Sequence, residues 1–126
     1  MQTTGARPET MPRDKCLRLL ATAGIGRIIY TRHALPAVEL VTFTLESGDI
    51  VARTVLESLG AAVRDSVVAF EADHVDPHDR SGWAVTVIGT ARWSSSPGGY
   101  EHVIRIRQEI VTGLYFAVPA TPQVAA

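Results

Sequence analysis

Hydrophobic and polar positions alternate most cleanly over residues 81–93, SGWAVTVIGTARW. Trp83, Val85, Val87, Gly89, Ala91 and Trp93 fall on one face; Ala84, Thr86, Ile88, Thr90 and Arg92 fall on the other. A period of two held this long, in β-branched and aromatic residues bounded by Gly82 and SSSPGG, predicts a long central strand. Residues 67–74 (VVAFEADH) predict its antiparallel neighbour across the loop VDPHDRSG. Gly89 interrupts the long strand. A glycine there marks a bulge, a bend or the close approach of another backbone or a ligand, and the hairpin of these two strands is where a barrel is expected to turn its corner.

The same pattern organises the rest of the chain. Residues 14–24 (DKCLRLLATAG) predict a short helix with Asp14 as cap, Leu17, Leu20 and Ala21 on one face, and Gly24 at its end. Strands are predicted at 26–31, 37–45, 50–54, 100–106 and 110–118, the last bent at Gly113. RHALP (32–36) and ESGD (46–49) are turns. Apolar residues at 56, 59, 62 and 63 have helical spacing and predict a short crossing helix weakened by Gly60. Residues 1–13 are expected to be a flexible arm, 14–118 a single domain and 119–126 a flexible tail. The fold class is mainly β with two short helices, a small antiparallel barrel of six or seven strands.

Composition narrows the function classes. The chain has 126 residues, 46% hydrophobic and 20% charged, which suits one globular domain with a modest core. A formal net charge of -1 gives no electrostatic footprint for nucleic acid or an anionic membrane. No apolar run approaches the length of a membrane span, and the polar N-terminus lacks the core of a signal peptide, so the expected location is the cytoplasm. The single Cys16 excludes an internal disulfide.

Candidate chemistry is sparse. Asp73, His74, Asp76, His78 and Asp79 crowd one polar turn, which reads as a solvated loop rather than a metal site, because no further ligand group is identifiable elsewhere. His33 and His102 stand alone as acid–base candidates. No Ser-His-Asp or Cys-His arrangement is supported by spacing, and the glycines form no phosphate-binding loop. Glu71 shares a face with Val67 and Ala69, so it reads as a paired, partly buried carboxylate.

The order of motifs resembles the pyridoxamine-5′-phosphate-oxidase-like FMN-binding split barrels, and within them the small bacterial members. The matching pieces are GRIIY, LPAVELVTF, IVART, VVAFEAD, SGWAVTVIGTA and IRIRQEIVTG, in the family's order over residues from about 14 to 116. The resemblance implies a split β-barrel, a homodimer with pockets at the subunit interface, FMN as cofactor with a deazaflavin as the variant, and oxidoreductase chemistry on a small organic molecule. It also assigns residues. Arg53 and Thr54 match the Arg-Thr pair beside the flavin phosphate, where a guanidinium fork and the N–H groups of the following helix suit an anion. Leu40, Val41 and Thr42 lie on the strand that passes the isoalloxazine through its backbone. Trp83 walls the pocket.

The departures are equally specific. The family helix carries a Lys where Ser58 or Leu59 stands here, so that Ser58 is assigned a weaker hydrogen bond to the phosphate in its place, and Lys15 is the only lysine in the chain. Leu40 replaces a Pro and Thr42 an Asn, while Gln108 and Leu114 replace a Pro and an Arg of the closing strands. Losing one charge-assisted phosphate contact of ~1.5–3 kcal/mol weakens binding by about one to two powers of ten. Two readings therefore stand side by side: a flavin-dependent oxidoreductase, and a flavin-free barrel that binds or transforms, without redox chemistry, a small hydrophobic metabolite. For single residues the alternatives are a surface ion pair at Arg53, plain solvent exposure at Ser58, and ordinary core at Trp83.

Overall fold

The structure, a computed structural model, describes residues 9–95 and 101–117. The chain order is β1 (Glu9–Thr10), α1 (Arg13–Leu20), β2 (Ile25–Arg32), β3 (Leu35–Glu46), β4 (Asp49–Thr54), α2 (Glu57–Val63), β5 (Val67–Val75), β6 (Ser81–Ser95), β7 (His102–Ile106) and β8 (Ile110–Ala117). All strand pairs are antiparallel, in the order β1-β8-β6-β5-β2-β3-β4-β7, and a further β6–β7 pairing closes the ring. The fold is thus mainly β, as the periodicity predicts, with eight strands among the described residues against the expected six or seven.

The extra strand is Glu9–Thr10, which pairs with Tyr115 and Leu114. Met11 follows it into the core. Residues 9–13 of the expected arm therefore belong to the domain, because an apolar Met sits among the polar residues that suggested an arm. The rest of that arm, the tail 119–126 and most of SSSPGG (residues 96–99 of 94–99) lie outside the described residues.

The long strand β6 divides the barrel. Its residues 81–88 pair with β8 and its residues 91–95 with β7, along the same edge. The switch falls at Gly89 and Thr90, where the Arg107 N–H donates to the Thr90 carbonyl at 3.2 Å. The face that begins with Trp83 turns inward: Trp83, Val85, Val87, Gly89 and Ala91 are buried and Trp93 is half-buried. They meet Ile28, Phe43, Ile50, Val68, Phe70, Ile104 and Ile106 in one core, with the Phe43 and Phe70 rings edge to face at 4.6 Å.

Two helices close the barrel. α1 buries Cys16 and Leu20, while Ala21 is exposed. Pro12, not Asp14, is its N-cap; Asp14 sits in the first turn and pairs with Arg18 at 3.1 Å. α2 buries Leu59, Gly60 and Val63. No helix among the described residues is long and apolar enough to cross a membrane.

Candidate functional site

β3 has two partners along only part of its length. Residues 42–46 pair with β4, whereas residues 35–41 pair with β2 alone. Pro36 is tolerated there because an edge needs no second row of N–H donors. A cavity of about 400 Å3 opens beside this free edge, lined by Ile25, Leu40, Val41, Thr42, Arg53, Thr54, Val55 and Leu56. Five of the seven residues assigned from the sequence, Leu40, Val41, Thr42, Arg53 and Thr54, therefore meet in one place.

Their side chains differ in what they offer. Val41 turns into the core, so only its strand faces the cavity, whereas Leu40 is 61% exposed. Arg53 pairs with Thr42 across the strands and makes no ion pair among the described residues, so the surface-pair alternative is not seen there. The Thr54 hydroxyl oxygen accepts the Leu56 N–H at 3.0 Å, closing the turn into α2 and leaving its own proton to donate. α2 has only seven residues and carries Glu57 in its first turn. A carboxylate there opposes an anion, so the end of α2 is a poor anion site.

Two assigned residues lie elsewhere. Ser58 lines a separate cavity of about 410 Å3 with Thr31, Arg32, His33, Ala61 and Ala62. The reason is helical phase: Ser58, Ala61 and Ala62 share the face turned away from Leu59 and Val63, and Leu56 takes the wall beside Arg53. Trp83 is 8% exposed and lines a cavity of about 470 Å3 with Thr22, Ala23, Gly24, Ile25, Asp73 and His74. Ile25 borders both this cavity and that of Arg53.

The sequence reading missed Ile25, Val55 and Leu56. Ile25 and Val55 are apolar residues with no place in the core pattern, and Leu56 reads only as one of the apolar helix positions; all three are exposed, Val55 by 72%. It also missed what Asp73 does. Arg27 Nη1 lies 2.9 Å from Glu71 Oε1 and 3.5 Å from Asp73 Oδ2. Burial, and then the neighbouring Asp73, push the Glu71 carboxyl up to about 7, against the pull of Arg27. The rest of the acidic turn satisfies itself: His78 N–H donates to Asp76 Oδ1, and Ser81 N–H to Asp79 Oδ1, which lowers the Asp79 carboxyl. No group of three or more potential ligands is poised for a metal among the described residues.

The substituted closing positions have structural roles. Gln108 N–H donates to Asp49 Oδ1 at 3.2 Å, and its side chain bridges Arg13 and the Ser47 carbonyl. A proline could not donate that first bond. Leu114 lies on the outer face opposite Ala84. Lys15 stands over the Tyr115 ring at 5.9 Å and is not among the residues lining the Arg53 cavity.

Comparison with known proteins fits this geometry. A family model described as pyridoxamine 5′-phosphate oxidase matches residues 12–115. The uncharacterized protein Rv0080 of Mycobacterium tuberculosis (strain ATCC 25618 / H37Rv) is 38% identical over 125 residues, covering 82% of each chain. Among solved structures, the FAD binding protein from Mycobacterium smegmatis superposes with a TM-score of 0.75 at 26% identity, over 87% of this chain and 99% of that one. An FAD-binding protein from Mesorhizobium loti shares the fold, with a TM-score of 0.72 at 15% identity over 86% and 97% of the two chains. The barrel, its order of motifs and the match over nearly its whole length place this chain in the pyridoxamine 5′-phosphate oxidase family, with the general fold of its flavin-binding split barrels.

Proposed function

We propose that this chain binds a flavin nucleotide in the cavity beside the free edge of β3 and acts as an oxidoreductase on a small organic molecule. The observation that carries the reading is the convergence of Arg53, Thr54 and the 40–42 strand on one open cavity. Arg53 supplies the fork of donors for a phosphate and Thr54 a hydroxyl proton. Ile25, Leu40, Val55 and Leu56 give a planar ring apolar surface, and the unpaired β3 edge gives it backbone partners. Bound there, the flavin would supply hydride chemistry, while the protein positions it and tunes its surroundings. That division of labour accounts for the sparse acid–base chemistry of the sequence. FMN is the guest the motif pattern favours; the FAD-binding relative makes FAD the first comparison, and a deazaflavin the second.

The proposed assembly is a homodimer with its pockets at the interface. The register aligns Val38, Ile29, Ala69, Ile88 and Ile110 across five strands on the outer face. Val38 is 60% exposed and Ile110 54%. A contiguous apolar stripe of this kind marks an interaction surface.

The absorbance spectrum of the purified protein, with mass spectrometry of what it releases on denaturation, tests the cofactor. A flavin spectrum, and affinity lowered about one to two powers of ten by Arg53→Ala, are expected. A colourless protein that FMN, FAD and deazaflavin all fail to saturate overturns the flavin reading. It leaves the flavin-free barrel, which the apolar walls of the same cavity favour. Sedimentation showing a monomer at every accessible concentration overturns the dimer.

A further inference from the structure

The outer face of the sheet carries an ion cluster set among apolar positions. Along β5 the outward residues are Val67, Ala69, Glu71, Asp73 and Val75, two carboxylates between exposed valines. The register continues the Glu71 row to Arg27 and Leu40 on one side, and to Thr86 and Thr112 on the other. Above that row runs the apolar stripe from Val38 to Ile110; below it, on the same face, lie Ile25, Ala84 and Leu114. Arg27 Nη1 is 2.9 Å from Glu71 Oε1 and 3.5 Å from Asp73 Oδ2, so one guanidinium serves two carboxylates. Among the described residues, β2 turns only Arg27 toward Glu71 as a charged group, its own strand only Asp73, and β6 and β8 only threonines. When both carboxyls are ionised, the cluster keeps an excess negative charge.

That excess distinguishes partners. A chain with a basic patch would complete the cluster with a cation of its own. A second copy brings the same excess carboxylate. The order of rows, apolar then ionic then apolar, is close to self-complementary. A two-fold axis along or across the Glu71 row lays apolar positions on apolar positions, as an isologous contact requires, and one ion cluster on the other. Like charges then meet on a face that is losing water, and both effects favour the protonated carboxyl. Burial and Asp73 already raise the Glu71 carboxyl to about 7 within one chain, so it is the group placed to take the proton.

We propose that this face docks a second copy of the chain and that each protomer takes up a proton at Glu71 as it docks, so that association tightens as the medium becomes more acidic. The identity of the partner rests on the homodimer reading; the proton linkage goes beyond it.

Sedimentation equilibrium of the purified full chain at pH 6 and pH 8, at constant ionic strength, reads the linkage. The dimer holds more protons than the separated chains, so the dissociation constant should rise with pH, by about tenfold between the two. Glu71→Gln stands in for the protonated carboxyl and should dimerise equally at both pH values, as tightly as the parent does at pH 6. Val38→Glu and Ile110→Glu put a charge into the stripe itself and should weaken the dimer at both, with circular dichroism checking that each variant is folded. A dimer whose constant does not move with pH, or moves as much in Glu71→Gln, overturns the proton linkage and leaves the homodimer standing. A dimer indifferent to both stripe variants uses another face and overturns the proposal. A monomer at every pH and concentration removes the homodimer reading along with it.

Discussion

The Arg107 carbonyl oxygen occupies the space that a Cβ on Gly89 would need. This contact sits where the edge of β6 changes partner from β8 to β7, so the barrel's split depends on a residue without a side chain. The obstacle is backbone, which cannot rotate away. Gly89→Ala should cost about 1–3 kcal/mol, the range for overpacking a closed site. Chemical denaturation reads the loss; a variant as stable as the parent would show that the 107–109 segment yields freely.

A second close approach lies under α2. A Cβ on Gly60 would overlap the five-membered ring of Trp93, whose buried indole N–H has no partner among the described residues. Helix propensity alone favours Ala at position 60, by about 0.8–1 kcal/mol. Packing should reverse the sign and make Gly60→Ala destabilising. Trp93→Phe removes both the obstructing ring and the orphaned donor, so Gly60→Ala should cost less in that background, with a coupling of about 1 kcal/mol or more. A double-mutant cycle with additive effects would contradict the contact.

These two glycines mark what the sequence made legible. Alternation in residues 81–93 gave the inner face of β6 directly, because a buried strand must repeat every two residues. Gly89 stood out as a break in that alternation, whereas the identity of its neighbour, Arg107, needed the fold. Gly60 read only as a weak helix position, since Trp93 is remote in sequence. Arg53 and Thr54 came from resemblance, and the cavity gathered them with the 40–42 strand. Ser58 lines a different cavity, because its helical phase depends on where α2 begins. The Asp73–Trp83 cavity was illegible because its walls come from three separate segments.

The hairpin joining β2 to β3 turns on His33 and Ala34, at φ of 51° and 62°. Two-residue hairpins of this hand favour Asn-Gly, because positive φ crowds a Cβ against its own carbonyl. Ala34→Gly should therefore stabilise the protein by about 0.5–1 kcal/mol, after the added freedom of the unfolded chain is offset. Thermal unfolding would show a rise of a few degrees. An unchanged or lower midpoint would place the strain elsewhere.

Glu71 gives the fold a pH dependence opposite in sign to that of an ordinary paired carboxylate. Its side chain is 22% exposed, and burial is the first cause raising it to about 7, followed by Asp73. The unfolded chain holds that proton only below the usual value of 4.5. Between the two values the folded state binds more protons than the unfolded, so stability must fall as pH rises. The contribution is complete below about pH 4.5, declines through the window and is gone above about pH 7. Other carboxylates titrate in the lower part of that range, so the isosteric Glu71→Gln serves as the reference. Urea unfolding of both proteins from pH 4.5 to 8 should give a stability difference that grows with pH in favour of the variant and levels off above 7. Parallel curves would mean that the Arg27 ion pair offsets burial and Asp73 in full.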